Sequence, residues 1–127
     1  MVMNGKLYKI QHFYDLNVWK EAHSLVLLTY KTIENFPKKE TFVIVSQMLR
    51  AAISITSNIA EGFGRQGLKD KIHFYNMSKA SLVELQNQFM ICRDIKYLPQ
   101  DEFNEIWERS VVVHKMLNAL ISSLKKK

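Results

Sequence analysis

The sequence predicts an all-α protein, an antiparallel up-and-down four-helix bundle, on three observations. Apolar residues recur every three or four positions over four long stretches, the period of a helix with one buried face. Only four Gly and two Pro occur in 127 residues, too few turn formers for a fold of many short strands. The breaks fall near 36–40, 63–67 and 98–101 and are too short for crossovers, so each helix must run antiparallel to the one before it. Residues 1–127 make one domain, large enough to fold without disulfide or metal, with 1–12 as a loose lead-in.

In the first helix Asp15 is the expected N-cap. Leu16, Trp19, His23, Val26, Tyr30 and Ile33 then fall at helical spacing, and a second stripe of Val18, Ala22 and Leu25 widens the apolar face. Asn35-Phe36-Pro37 ends this helix, because the residue before proline avoids the α region.

Thr41 is the expected cap of the second helix. Its stripe is Val45, Met48, Ala52, Ile55 and Ile59, with Leu49, Thr56 and Phe63 alongside. The β-branched residues are mediocre helix formers, but a turnless run of about 20 residues is too long for a strand. Gly62, Gly64 and Gly67 are expected to break the chain. The third helix is predicted from about Leu68 to Tyr97, on Tyr75, Ser78, Leu82, Leu85, Phe89 and Cys92, and Pro99 closes it. The fourth begins near Asp101. Glu102, Glu105 and Glu108 suit the positive pole at its start, and its stripe is Phe103, Ile106, Ser110, Val113, Leu117, Leu120 and Leu124.

The formal net charge of +6 admits nucleic acid or an anionic surface as a partner. Three of those cations, Lys125-Lys126-Lys127, also read simply as a solubilising helix end beside its negative pole. One cysteine, Cys92, excludes an intrachain disulfide and suits a reducing cytoplasm. No apolar run resembles a signal peptide or a membrane span, so a cytoplasmic protein without membrane contact is expected.

Catalytic and metal-binding classes find little support. None of His12, His23, His73 and His114 follows a Glu by three residues, the spacing a di-metal bundle needs. Cys92 lies on an apolar stripe and reads as a small hydrophobe. Gly62-Phe63-Gly64-Arg65-Gln66-Gly67 spells G-x-G-x-x-G, but it follows a helix rather than a strand and so lacks the context of a dinucleotide loop. It reads as a flexible helix–helix connection.

The densest polar cluster is on the second helix: Gln47, Arg50, Ser54, Asn58, Glu61 and Arg65, recurring every three or four residues. It reads either as a solvated face, with Glu61 pairing Arg65, or as a partly buried seam that meets a partner helix or subunit. Ser and Asn are poor choices for a free helix surface. Ser81 and Glu84 of the third helix could face that seam. The cations Arg50, Arg65, Lys69, Lys71 and Lys79 cluster on the second and third helices. Arg50 and Arg65 share a face if the second helix runs unbroken.

The run Ser46-Gln47-Met48-Leu49-Arg50-Ala51-Ala52-Ile53-Ser54-Ile55-Thr56-Ser57-Asn58-Ile59-Ala60-Glu61-Gly62-Phe63-Gly64-Arg65 resembles the signature of the bacterial four-helix-bundle proteins linked to 23S rRNA intervening sequences. Leu16-x-Val18-Trp19-x-x-Ala22, Phe36-Pro37 and Ser81-Leu82-x-Glu84-Leu85 match as well. The chain departs from the pattern at Thr56, where proline is common, at Leu49, where a second basic residue is common, and at Ala80, where glycine is. A related bundle is the accessory variability protein of diversity-generating retroelements, a pentameric barrel that binds nucleic acid and a reverse transcriptase. The resemblance thus implies a homo-oligomer, a pentamer being favoured.

The expected function is that of a non-enzymatic oligomeric bundle, without cofactor or metal, that binds structured RNA or DNA or a nucleic-acid-handling protein. Arg50, Arg65, Lys69, Lys71 and Lys79 are the expected contacts. The alternative is a protein–protein interaction or scaffold module with no nucleic-acid role.

Overall fold

The computed structural model describes the backbone of residues 2–3, 6–7 and 9–127, with side chains from Lys9 onward. Residues 1, 4, 5 and 8 of the expected lead-in lie outside the described residues. Within that lead-in Val2–Met3 pairs antiparallel with Lys6–Leu7.

Four helices form the body: α1 (Asn17–Ile33), α2 (Ser46–Gly64), α3 (Leu68–Asp94) and α4 (Gln100–Lys125). Each packs on its sequence neighbours and α1 closes on α4; the most extensive contact joins α2 to α3. This is the predicted up-and-down bundle. Leu25, Met48, Ile55, Ile59, Leu82, Leu85, Phe89, Ile106, Val113 and Leu117 fill its centre with no solvent exposure. The stretch Lys38–Gly64 is long and apolar enough in composition to cross a bilayer. Met48, Ala52, Ile55 and Ile59 of this stretch belong to the bundle core, whereas Phe42, Val43 and Ile53 are exposed, and Gln47, Arg50 and Glu61 interrupt its surface.

Several boundaries differ from those expected, each for a local reason. Asp15 does not cap α1. Its Oδ2 accepts the N–H of Gln11 at 3.1 Å and of His12 at 2.9 Å, closing the 3₁₀ turn Phe13–Asp15 that precedes α1, and Leu16 occupies the α1 N-cap without a side-chain bond. The buried stripe of α1 is Val18, Ala22, Leu25, Val26, Thr29 and Thr32. His23 and Tyr30, on the other stripe, are exposed. Thr41 is likewise no cap: the 3₁₀ turn Lys38–Glu40 leads into a π-helical turn, Thr41–Val45, which feeds α2. Leu120 is only half-buried, Ile121 taking the core position on α4.

The glycine stretch also differs from the expected flexible connection. Gly62 and Gly64 are helical, and only Arg65–Gly67 connects α2 to α3. α3 stops at Asp94, three residues before the expected Tyr97. Lys96 has φ 70°, and the N–H groups of Tyr97 and Leu98 both donate to the Cys92 carbonyl, at 2.9 and 3.1 Å. This left-handed turn closes the helix end as a glycine usually does.

Candidate nucleic-acid interface

Of the polar stripe of α2, only Ser54 and Asn58 enter the contact with α3. Ser54 Oγ and Ser81 Oγ lie 2.8 Å apart across the α2–α3 contact. Asn58 Nδ2 donates to the Ser54 carbonyl at 2.9 Å and to Ser54 Oγ at 3.0 Å. Accepting from Asn58, the Ser54 hydroxyl has its own proton to give to Ser81. All three side chains are half-buried, and mutual bonding satisfies groups that are costly to bury unpaired. Close by, the Ser78 hydroxyl donates to the Ile55 carbonyl at 2.8 Å, so small hydroxyl residues let α3 approach α2.

Gln47, Glu61 and Glu84 stand on the solvent side of this contact. Glu61 takes a hydrogen bond from Arg65 at 3.1 Å, an exposed pair of the kind that contributes well under 1 kcal/mol. Glu84 Oε1 accepts from Gln88 Nε2 at 3.3 Å. Gln88 was not singled out from the sequence. It is buried, and its Oε1 has no partner among the described residues.

The five cations do not form one patch. Arg65, Lys69 and Lys71 gather where α2 turns into α3, while Arg50 is exposed on the first half of α2. Fifteen residues of helix would separate Arg50 from Arg65 by about 22 Å. The shared helix face does not arise either, because Arg65 lies one residue past the end of α2 with extended backbone. Lys79 turns the other way and donates to Asn118 Oδ1 of α4 at 3.1 Å.

Two of the gathered cations also have structural partners. Lys71 Nζ donates to the carbonyls of Phe63 at 2.7 Å and Gly62 at 3.2 Å, capping α2 from the facing helix. Desolvation there, and then the charge of Lys127, hold this ammonium below the usual lysine range. The Arg65 guanidinium lies 4.5 Å over the Phe74 ring, a cation–π contact that fixes its position.

Repulsion between Lys71 and Lys127 reports what the sequence alone did not reveal. Antiparallel packing folds the C-terminal end of α4 back to the α2–α3 turn. Lys125, Lys126 and Lys127 therefore join Arg65, Lys69 and Lys71 at one end of the bundle. Only Glu61 and Asp70 oppose them within the turn. The N-terminal aromatics come to the same end: Phe13 lines an open groove together with Ser57, Ala60, Glu61, Gly64 and Arg65.

The opposite end is acidic on one side, where Glu102 and Glu105 flank a small groove with Lys31. Among the described residues no three His, Cys, Asp or Glu side chains come together. Cys92 is buried, and burial, with a smaller contribution from Glu40, pushes its thiol up to about 11. It therefore stays protonated and unreactive near neutral pH.

The structure is similar to that of a protein of unknown function from the S23 ribosomal protein family of Bacteroides thetaiotaomicron VPI-5482. The TM-score is 0.76 at 21% identity, over 83% of this chain and 95% of that one, a likeness of fold. No curated protein matches the chain. The family model described as 23S rRNA-intervening sequence protein matches residues 14–119, a span that holds the α2 signature, the seam and all five cations. By that match the chain belongs to the 23S rRNA-intervening sequence protein family.

Proposed function

We propose that this protein is a non-enzymatic, oligomeric helical bundle that binds structured RNA or DNA through one end of the bundle. The observation that carries the reading is the convergence of Arg65, Lys69, Lys71 and the tail Lys125–Lys127 from three separate elements. A field of one sign on a small surface attracts phosphate. Repetition around a ring of protomers would multiply it. Arg50, more distant on α2, would extend the same interface along the helix, whereas Lys79 serves the α3–α4 contact.

Self-association draws support from the outward face of α3. Val83 is 50% exposed, and Met77, Met90 and Ile91 are exposed too. Val83 and Met90 are seven residues apart and Met77 and Ile91 fourteen, so they form two short apolar lines on neighbouring exposed faces of α3, and apolar surface left in water marks an interface. The same surface favours the second reading, a scaffold that engages other proteins, a nucleic-acid-handling one included. Light scattering distinguishes a monomer of 14.9 kDa from the expected assembly, for which a pentamer is favoured.

The deciding experiment is filter binding of structured RNA and duplex DNA. Phosphate contact predicts retention at low salt, with log K falling by roughly 0.9 per phosphate neutralised for each unit of log salt. Arg65→Glu with Lys69→Glu should abolish retention. Retention unchanged by that double variant, or none at tens of micromolar protein, overturns the reading in favour of the scaffold.

A further inference from the structure

A run of rings extends from His12, at the end of the lead-in, through the 3₁₀ turn and into the start of α1. His12 stacks on Tyr14 with centroids 4.9 Å apart and planes 7° from parallel. Phe13 meets Tyr14 edge-on at 5.3 Å and Trp19 edge-on at 5.4 Å. Trp19 stacks on His23 at 4.7 Å and 12°. Five rings thus form one continuous chain.

Their burial divides them. Phe13 and Trp19 are half-buried and anchor the lead-in on the bundle. His12 and His23, at the two ends of the chain, are exposed, as is Tyr14, 48% of whose surface meets solvent. Each terminal histidine has one face covered by its stacking partner. The turn that presents His12 and Tyr14 is fixed by the two backbone bonds to Asp15, so little ordering would be needed on binding. Phe13 and Arg65 line the same groove, which brings the rings beside the basic end.

Resting on the nucleic-acid reading of that end, we propose that its ligand is an unpaired strand. Bases stack on the outer rings of the His12–His23 chain while Arg65 and Lys69 hold the phosphates. Exposed π faces close to cations are what single-strand recognition uses, since every base has a face to stack and a duplex has its bases already stacked. In structured RNA the proposal places the contact at a loop or an end rather than at the paired stem.

The test compares a short single-stranded RNA with a blunt duplex of the same sequence, on the full chain carrying Trp107→Phe. Trp19 is then the sole tryptophan. The expected result is quenching of Trp19 fluorescence by the single strand and not by the duplex. Tyr14→Ala with His23→Ala should weaken single-strand binding roughly tenfold, as loss of base stacking does, and Tyr14→Phe with His23→Phe should restore it. Circular dichroism of each variant separates this from unfolding. Equal affinity for strand and duplex, or an alanine pair that binds as tightly as the parent while Arg65→Glu with Lys69→Glu does not, overturns the stacking platform and leaves the basic interface standing. Binding of neither RNA removes both. Quenching by anionic phospholipid vesicles alone overturns the proposal in favour of a membrane surface.

Discussion

The ring of Tyr75 lies directly on the α-carbon of Gly62: a β-carbon on that glycine would sit 2.6 Å from Tyr75 Cε1 and 2.9 Å from Cδ1. Phe74 Cβ would be 3.2 Å away. Residues of α3 therefore pack against the bare backbone of α2 at Gly62, and the absence of a side chain makes that contact possible. Tyr75 is only 3% exposed, so its ring has no open space to move into.

Gly62→Ala is accordingly expected to destabilise the protein by about 1–3 kcal/mol, the usual cost of overfilling a packed site. That is despite the roughly 1 kcal/mol by which alanine surpasses glycine in a helix. Gly64→Ala is the control: nothing lies within 4 Å of a β-carbon there, so it should be neutral or slightly stabilising. Denaturant unfolding of the two variants checks this. Equal midpoints would mean that α2 and α3 are not in close contact at Gly62.

Lys96 holds φ 70° without being a glycine. An L-residue with a β-carbon bears a cost of roughly 1 kcal/mol in this conformation. Lys96→Gly removes that strain but gains some entropy in the unfolded chain. That entropy is about 0.4–1 kcal/mol, so the net expectation runs from neutral to a stabilisation of about 0.6 kcal/mol, a midpoint rise of at most a few degrees on thermal melting. A drop in the midpoint would show that the Lys96 side chain contributes more than its backbone costs.

Gln88 is 5% exposed and its Oε1 lacks a donor. Its remaining bond, from Nε2 to Glu84, is long at 3.3 Å and reaches an exposed carboxylate. Replacing such a group with an apolar one of similar shape removes a desolvation cost of about 1 kcal/mol or more. Gln88→Met should thus raise the unfolding midpoint of the isolated protein. A lower midpoint would mean that the amide oxygen finds a partner in solution.

The bundle was legible because several apolar residues at helical spacing point the same way: Leu82, Leu85 and Phe89 on α3 and Val113 and Leu117 on α4 all fell where the sequence placed them. The two cap signals that rest on one residue, Asp15 and Thr41, failed. Asp15 has the chemistry of a helix N-cap, but its carboxylate found the preceding amides. Lys96 ends α3 in a conformation that no lysine advertises. In the proposed site, Arg65 and Lys69 could be paired by their nearness in sequence. Lys125–Lys127 and the rings of His12 to His23 could not, since only antiparallel packing brings distant segments to one end. The five rings did carry a signal, a density of aromatics at 12–23, but Trp19 and His23 were absorbed into an apolar stripe.

Asp15 gives the presentation of those rings a dependence on pH. Its carboxyl is held below the usual carboxylate range, chiefly by the backbone hydrogen bond from Gln11 and next by that from His12, with the charges of His12 and Lys20 assisting. Hydrogen bonds to the charged form favour it. A group whose folded pKa is depressed contributes stability that is fully present above its unfolded value and is lost as pH falls through the folded value. The turn at Phe13–Asp15 should therefore be unaffected near neutrality and loosen only in acid, below the ordinary carboxylate range. Followed by NMR, the amide protons of Gln11 and His12 should shift with the same low midpoint as the Asp15 carboxyl. In Asp15→Ala they should lie at their acid-form positions throughout, and base stacking at the His12–Tyr14 pair should weaken with them. An Asp15 carboxyl that titrates at the ordinary value, with the two amides unmoved, would show that the turn in solution is not held by this side chain.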